Sequence, residues 1–144
     1  MNHEITQQPE AMHHFFRVQL SSTRRGARLA RLLAVEQLRD WGVRLTAPRQ
    51  IIAELASNAV LHGHVDGRDF ALLLHLSPET LRIELVDTRG DKDLEPTAPP
   101  WYAERGRGLL LVAAFADDWG VEWGPAPRKT VWAEVRLRRR DQRG

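Results

Sequence analysis

The chain has 144 residues, a formal net charge of +2 and no cysteine. Its length fits one domain that can bury about 70% of its unfolded surface, and the lack of cysteine excludes a disulfide scaffold and a thiolate metal site. No apolar run approaches the roughly 20 residues that a membrane-spanning helix needs. We therefore expect a cytoplasmic protein that does not enter a membrane.

The first predicted elements are a tail and a strand. We expect residues 1–14 to form a flexible tail, because they are polar and show no apolar periodicity. Phe16, Val18 and Leu20 then alternate with Arg17 and Gln19. This alternation indicates a half-buried strand.

Two helices are predicted next. Residues 21–23 are two serines and a threonine, which offer an N-cap for the first helix. That helix should end at Gly42, and its apolar residues recur at helical spacing: Ala30, Leu33, Ala34, Leu38 and Trp41. A second cap at Thr46, with Pro48 tolerated in the first turn, opens the second helix.

The second half of the chain predicts two hairpins. Strands over 70–76 and 81–86 are joined by a good turn sequence at 77–80, and residues 119–123 and 130–137 form the second pair. Antiparallel hairpins argue against a doubly wound parallel sheet. We therefore predict an α+β fold, a two-layer α/β sandwich with helices on one face of a mixed, mostly antiparallel sheet.

The second helix carries the first chemical motif. Glu54, Asn58 and His62 are spaced four apart and so share one stripe of the helix, while the neighbouring stripe is apolar and should face the core. Asn58 can offer a neutral oxygen to Mg²⁺ beside a polyphosphate, and Glu54 is one turn away, where it can take a proton. The alternative is a solvated helix face whose spacing is accidental.

Two further segments that resemble motifs follow the second helix along the chain. Residues 87–91 (DTRGD) come directly after a predicted strand, and residues 106–112 (GRGLLLV) come later. Residues 54–63 resemble the N box, residues 87–90 the G1 box and residues 106–112 the G2 box of the GHKL ATPases, which have the Bergerat ATP-binding fold. Within that family the chain looks like the small stand-alone anti-sigma-factor serine kinases and their actinobacterial relatives. The resemblance implies an ATPase domain over residues 15–138, followed by a basic tail at 139–144.

The resemblance implies a role for each motif residue. Asn58 would hold the Mg²⁺ of bound ATP, and Glu54 would act as general base. Asp87 would accept a hydrogen bond from the adenine amine, so the site should reject guanine, which has an acceptor at that position. Gly106 and Gly108 would let the backbone come close to the nucleotide.

Five further residues complete the implied site. A helix starting at Leu109 would aim free amide groups at phosphate. Gly90 would supply a flexible turn, because arginine and aspartate stand on either side of it where the family pattern has glycines. Arg105 and Arg107 would contact phosphate, or else remain in solvent. Thr130 would support Asp87, or else simply begin the last strand.

The resemblance also implies a function. It points to an ATP- and Mg²⁺-dependent serine/threonine protein kinase that phosphorylates an anti-anti-sigma factor, sequesters a sigma factor and so regulates transcription by partner switching. The altered glycines favour an alternative, a nucleotide-binding interaction module without kinase activity. A third reading, a nucleic-acid-associated regulator acting through the terminal arginines, lacks a recognition module, so we do not expect direct nucleic-acid binding. The first helix, with Arg24, Arg25 and Arg28, would dock partners or a second copy in a homodimer, or else present a solvated face.

Overall fold

The computed structural model describes residues 13–61, 69–87, 106–124 and 129–137. These residues form five strands and three helices, in the order β1 (His14–Ser21), α1 (Arg24–Asp40), α2 (Thr46–Leu61), β2 (Asp69–Leu76), β3 (Thr80–Asp87), α3 (Gly106–Phe115), β4 (Asp118–Trp123) and β5 (Lys129–Arg136). Most of both predicted tails lies outside the described residues.

The five strands form one open sheet with the order β1-β2-β3-β5-β4. All four pairings between these described strands are antiparallel. The two predicted hairpins are confirmed: β2 pairs with β3 and β4 pairs with β5. In the first of them the Ser77 amide donates to the Thr80 carbonyl oxygen at 2.9 Å, which closes the turn.

The helices pack on one face of this sheet, which confirms the predicted α+β, two-layer architecture. Along β3, buried residues alternate with partly exposed ones, as expected for a strand with one face against a core. The fully buried side chains of the core come from both layers and include Leu38, Ile51, Ile52, Leu55, Phe70, Leu72, Leu74, Leu81, Ile83 and Val112. No helix in the described ranges is both long and apolar enough to cross a membrane.

The ends of α1 follow from its sequence. The Gly26 amide donates to the Thr23 hydroxyl at 3.0 Å, so the predicted N-cap is confirmed. At the other end Gly42 has a φ of 78°, a left-handed conformation that glycine adopts without strain. Between these ends the buried stripe uses small residues such as Ala30 and Ala34, whereas Leu33 is 45% exposed.

Candidate functional site

Asn58 and Asp87 line one cavity, although they belong to different predicted motifs. The cavity lies between α2 and the ends of β3 and β5, and its volume is about 20 Å³. Its lining residues are Leu55, Asn58, Ala59, Leu85, Asp87, Lys129 and Val131. The fold therefore brings together the residues that the sequence assigned to the metal and to the adenine base.

Each of the polar residues reaches the cavity because of its place in an element. Asn58 follows Leu55 by three residues on α2, so both lie on the helix face that packs against the sheet. Asp87 is the last residue of β3 and continues the buried alternation that includes Leu85. Lys129 opens β5 and stands directly opposite Asp87 in the strand register.

Buried polar groups of the described residues are concentrated at this cavity. Four polar or charged residues are buried in the described part of the chain, namely Ser22, Asn58, Asp87 and Lys129, and the last three all line this cavity. Burial of an amide, a carboxylate and an ammonium is costly unless they are paired or bind something. Such a cluster is unusual in a core. Asp87 and Lys129 each have an interaction partner, so the unsatisfied atom among the three residues belongs to Asn58.

The Asn58 side chain is the clearest sign of a binding site. It is 9% exposed, and its Nδ2 atom has no hydrogen-bond partner within the described ranges. Most buried polar side-chain atoms in proteins do have a partner, so this one calls for an explanation. The cavity is large enough for one water molecule. The two ends of an amide are distinguished only by their hydrogen bonds, so rotation of the side chain would present Oδ1 there instead.

Glu54 lies outside the cavity lining. It is partly exposed, one turn before Asn58 on α2. Its position on the same helix agrees with the predicted stripe, but its side chain is at the surface of the helix layer, whereas Asn58 is within the core.

Thr130 does not share the core face of the sheet with Asp87. In the β3–β5 register Thr130 is opposite Val86, and it is partly exposed where its neighbours on β5 are buried. Successive side chains of a strand point to opposite faces, so the residue that shares the core face with Asp87 is Lys129. Sequence reasoning missed Lys129, because only the strand register, and no motif, places it there.

The glycines of the third motif lie inside a helix. The helix α3 begins at Gly106, whereas the sequence predicted a start at Leu109. The helix α3 packs against α2 and buries Val112 fully, and this packing offsets the roughly 1 kcal/mol by which each glycine disfavours a helix. The first four amide groups of a helix have no partner within it, so here they belong to Gly106, Arg107, Gly108 and Leu109. Gly90, Arg105 and His62 lie outside the described residues.

Within the described ranges, no group of three or more histidine, cysteine, aspartate or glutamate residues could hold a metal ion. A magnesium ion bound with a nucleotide has a different requirement, since it keeps waters and phosphate oxygens and needs only one or two protein ligands. The buried amide of Asn58 fits this requirement.

The sequence matches no protein-family model, and no curated protein matches it. A function is therefore inferred from the residues and from the geometry that brings them together.

Proposed function

We propose that this protein is an ATP- and Mg²⁺-dependent serine/threonine protein kinase of the anti-sigma-factor type. The observation that supports the proposal is the shared cavity of Asn58 and Asp87. These residues come from α2 and β3 and belong to two of the three motifs, whose convergence the interpretation of the sequence requires. A coincidental helix stripe would give no reason for Asp87 to lie at the same place.

In the proposed site each residue has a distinct task. Asn58 supplies a neutral oxygen to Mg²⁺, which leaves the negative charge of the triphosphate to balance the metal. Asp87 accepts a hydrogen bond from the base, and its burial makes that contact selective, because an unpaired partner there is costly. The free amides at the start of α3 stabilise phosphate charge, and Glu54 takes the proton of the attacking serine hydroxyl.

The proposed partners are proteins. Phosphorylation of an anti-anti-sigma factor would control whether this protein holds a sigma factor. A surface suited to such contacts runs along α1, where Leu29, Leu32 and Leu33 are 41%, 56% and 45% exposed. Arg25 and Arg28 on the same helix are also exposed, and arginine combined with apolar area is common at protein interfaces.

One observation favours a second candidate, a module that binds nucleotide and a partner without transferring phosphate. The residues proposed for binding lie in the cavity wall, whereas the proposed base, Glu54, does not line the cavity. Binding therefore has more structural support than transfer.

Two measurements test the proposal. Calorimetry should show ATP binding that requires Mg²⁺ and that is lost in Asn58→Ala but kept in Ser57→Ala, a control at an exposed position on the same turn of α2. Transfer of labelled phosphate to a co-purified partner should then be lost in Glu54→Gln while ATP binding persists. Wild-type protein that binds no ATP refutes the nucleotide site, and wild-type protein that binds ATP but labels no partner favours the binding module.

A further inference from the structure

A groove of about 310 Å³ lies between α1 and α2, and its lining residues in the described ranges all belong to these two helices. Its charged lining consists of Arg31, Arg39, Arg49 and Glu36. The groove shares no residue with the cavity of Asn58. Its volume reaches the range of roughly 300–1,000 Å³ that is usual for ligand clefts. Side chains of another molecule therefore fit into it.

The arginines bring more positive charge than the described residues balance. Arg39 and Glu36 form an ion pair at 3.0 Å, but their side chains are 54% and 72% exposed, so the pair stabilises the fold little. Arg31 and Arg49 are exposed and form no ion pair with any residue in the described ranges. Three arginines and one glutamate leave a formal charge of +2 on the groove. This charge suits a partner of negative charge.

The remaining lining of the groove is apolar. Val35 and Ala53 are partly exposed, and Leu32 is 56% exposed. Leu32 also lies in a row with Leu29 and Leu33, which are 41% and 45% exposed, because residues three and four apart are neighbours on a helix. Exposed apolar area that is rimmed by charged residues is typical of a surface that contacts another molecule.

We propose that this groove docks an acidic amphipathic helix of a partner protein. Arg31 and Arg39 stand one turn before and one turn after Val35 on a single stripe of α1, so positive charge flanks an apolar centre. An amphipathic helix inserts its apolar side chains into such a groove, and its carboxylates accept paired hydrogen bonds from the guanidinium groups. The inference goes beyond the proposed function and does not rest on it, because the groove and the Asn58 cavity share no residue.

The test uses a synthetic peptide of about 16 residues, long enough to form a helix, with leucine at i, i+3, i+4 and i+7 and glutamate at the positions beside them. Its binding to the purified full chain is measured by fluorescence anisotropy without nucleotide. Two matched peptides replace glutamate by glutamine or leucine by serine. Each should bind at least about tenfold more weakly than the acidic leucine peptide, because the groove has both a charged and an apolar lining.

Variants of the protein locate the binding surface. Arg31→Glu combined with Arg49→Glu should weaken binding of the acidic leucine peptide at least about tenfold, because two attractive charges become repulsive. Arg17→Glu combined with Arg24→Glu changes the net charge by the same amount at exposed positions outside the groove lining. This control should retain the wild-type affinity within about threefold, since charges outside the contact contribute little.

A second pair of variants tests the apolar lining. Leu32→Ser should weaken peptide binding at least about fivefold, because a leucine side chain that the peptide buries is lost. Leu110→Ser, at a position that is 68% exposed on α3, should bind as the wild type does. Equal effects of the two substitutions overturn the assignment of the groove.

The other outcomes also separate the alternatives. A wild type that binds the acidic and the glutamine peptides equally overturns the proposal with no protein variant needed, and so does equal affinity of the two charge-reversal proteins. An oligonucleotide that displaces the peptide and loses affinity in the same groove variant assigns the groove to nucleic acid and overturns a protein partner. A wild type that binds the peptide but no ATP supports the groove and refutes only the proposed function, whereas one that binds ATP but no peptide does the reverse.

Discussion

Replacement of Asn58 by alanine should stabilise the ligand-free protein, which is the opposite of what most buried substitutions do. The reason is the unpartnered Nδ2 atom in the core. A residue kept for binding can reduce the stability of the fold, and its removal then raises stability while function is lost.

The magnitude follows from three effects. Removal of an unsatisfied buried amide relieves roughly 1–3 kcal/mol, and alanine exceeds asparagine in helix propensity by about 0.5 kcal/mol. Against these, a cavity enlarged by roughly 30 Å³ costs about 0.7 kcal/mol, at about 24 cal/mol per Å³. A water bound in the existing space of about 20 Å³ would satisfy the amide in part, so we use the lower end of the range. We expect a net gain of about 1 kcal/mol, or roughly 3 °C in melting temperature.

The assay is unfolding by denaturant or heat, with and without nucleotide. Ligand at about 100 times its dissociation constant should add about 2.7 kcal/mol to the free energy of unfolding of the wild type. The same ligand should add nothing to Asn58→Ala, so the order of the two proteins reverses when Mg²⁺ and ATP are added. Ser57→Ala should follow the wild type in both conditions.

One result would refute this reasoning. If ligand-free Asn58→Ala unfolds more easily than the wild type by 1 kcal/mol or more, then Asn58 makes a structural hydrogen bond and its burial is no sign of a ligand.

Three other substitutions test the site and its support. Asp87→Asn should weaken ATP binding at least about tenfold in calorimetry, because the amide replaces half of the acceptor with a donor; equal affinity would remove Asp87 from the base contact. Thr23→Ala should lower the free energy of unfolding by about 1 kcal/mol, since the Gly26 amide loses the hydroxyl that caps it. A loss below about 0.3 kcal/mol in denaturant titrations would contradict this, because caps usually contribute more. Gly26→Ala should lower the free energy of unfolding by about 2 kcal/mol or more despite the higher helix propensity of alanine. The reason is that a Cβ atom there would lie 2.0 Å from the Ser21 carbonyl oxygen. A variant as stable as the wild type would show that the backbone moves away at little cost.

The sequence predicted the elements well because their signals are local. A capping hydroxyl, a positive-φ glycine and two turn sequences mark the boundaries of α1 and of both hairpins. The α3 start was missed because glycine usually signals the end of a helix, while the packing that extends α3 to Gly106 is tertiary.

The site was predictable only in part for a similar reason. Asn58 and Asp87 were identified from motif resemblance, and the fold places both at one cavity. Lys129 was missed because its partner is 42 positions away in sequence, counted from 87 to 129, and the pairing depends on a register that a slip of one residue would change. The same slip would place Thr130 on the core face. The sequence therefore suggested Thr130 as the neighbour of Asp87, whereas the register places Lys129 opposite it.

The arrangement separates the residues that would bind from the residue that would react. Asn58 and Asp87 are buried in the cavity wall, whereas Glu54 is partly exposed one turn away. A general base that serves a hydroxyl on another protein must be reachable from outside, so the partial exposure of Glu54 is compatible with transfer, although Glu54 does not line the cavity. A module that only binds nucleotide has no such requirement, so substitution of Glu54 would not affect its function. Loss of transfer without loss of binding in Glu54→Gln would therefore identify an enzyme, because a binding module has no transfer to lose.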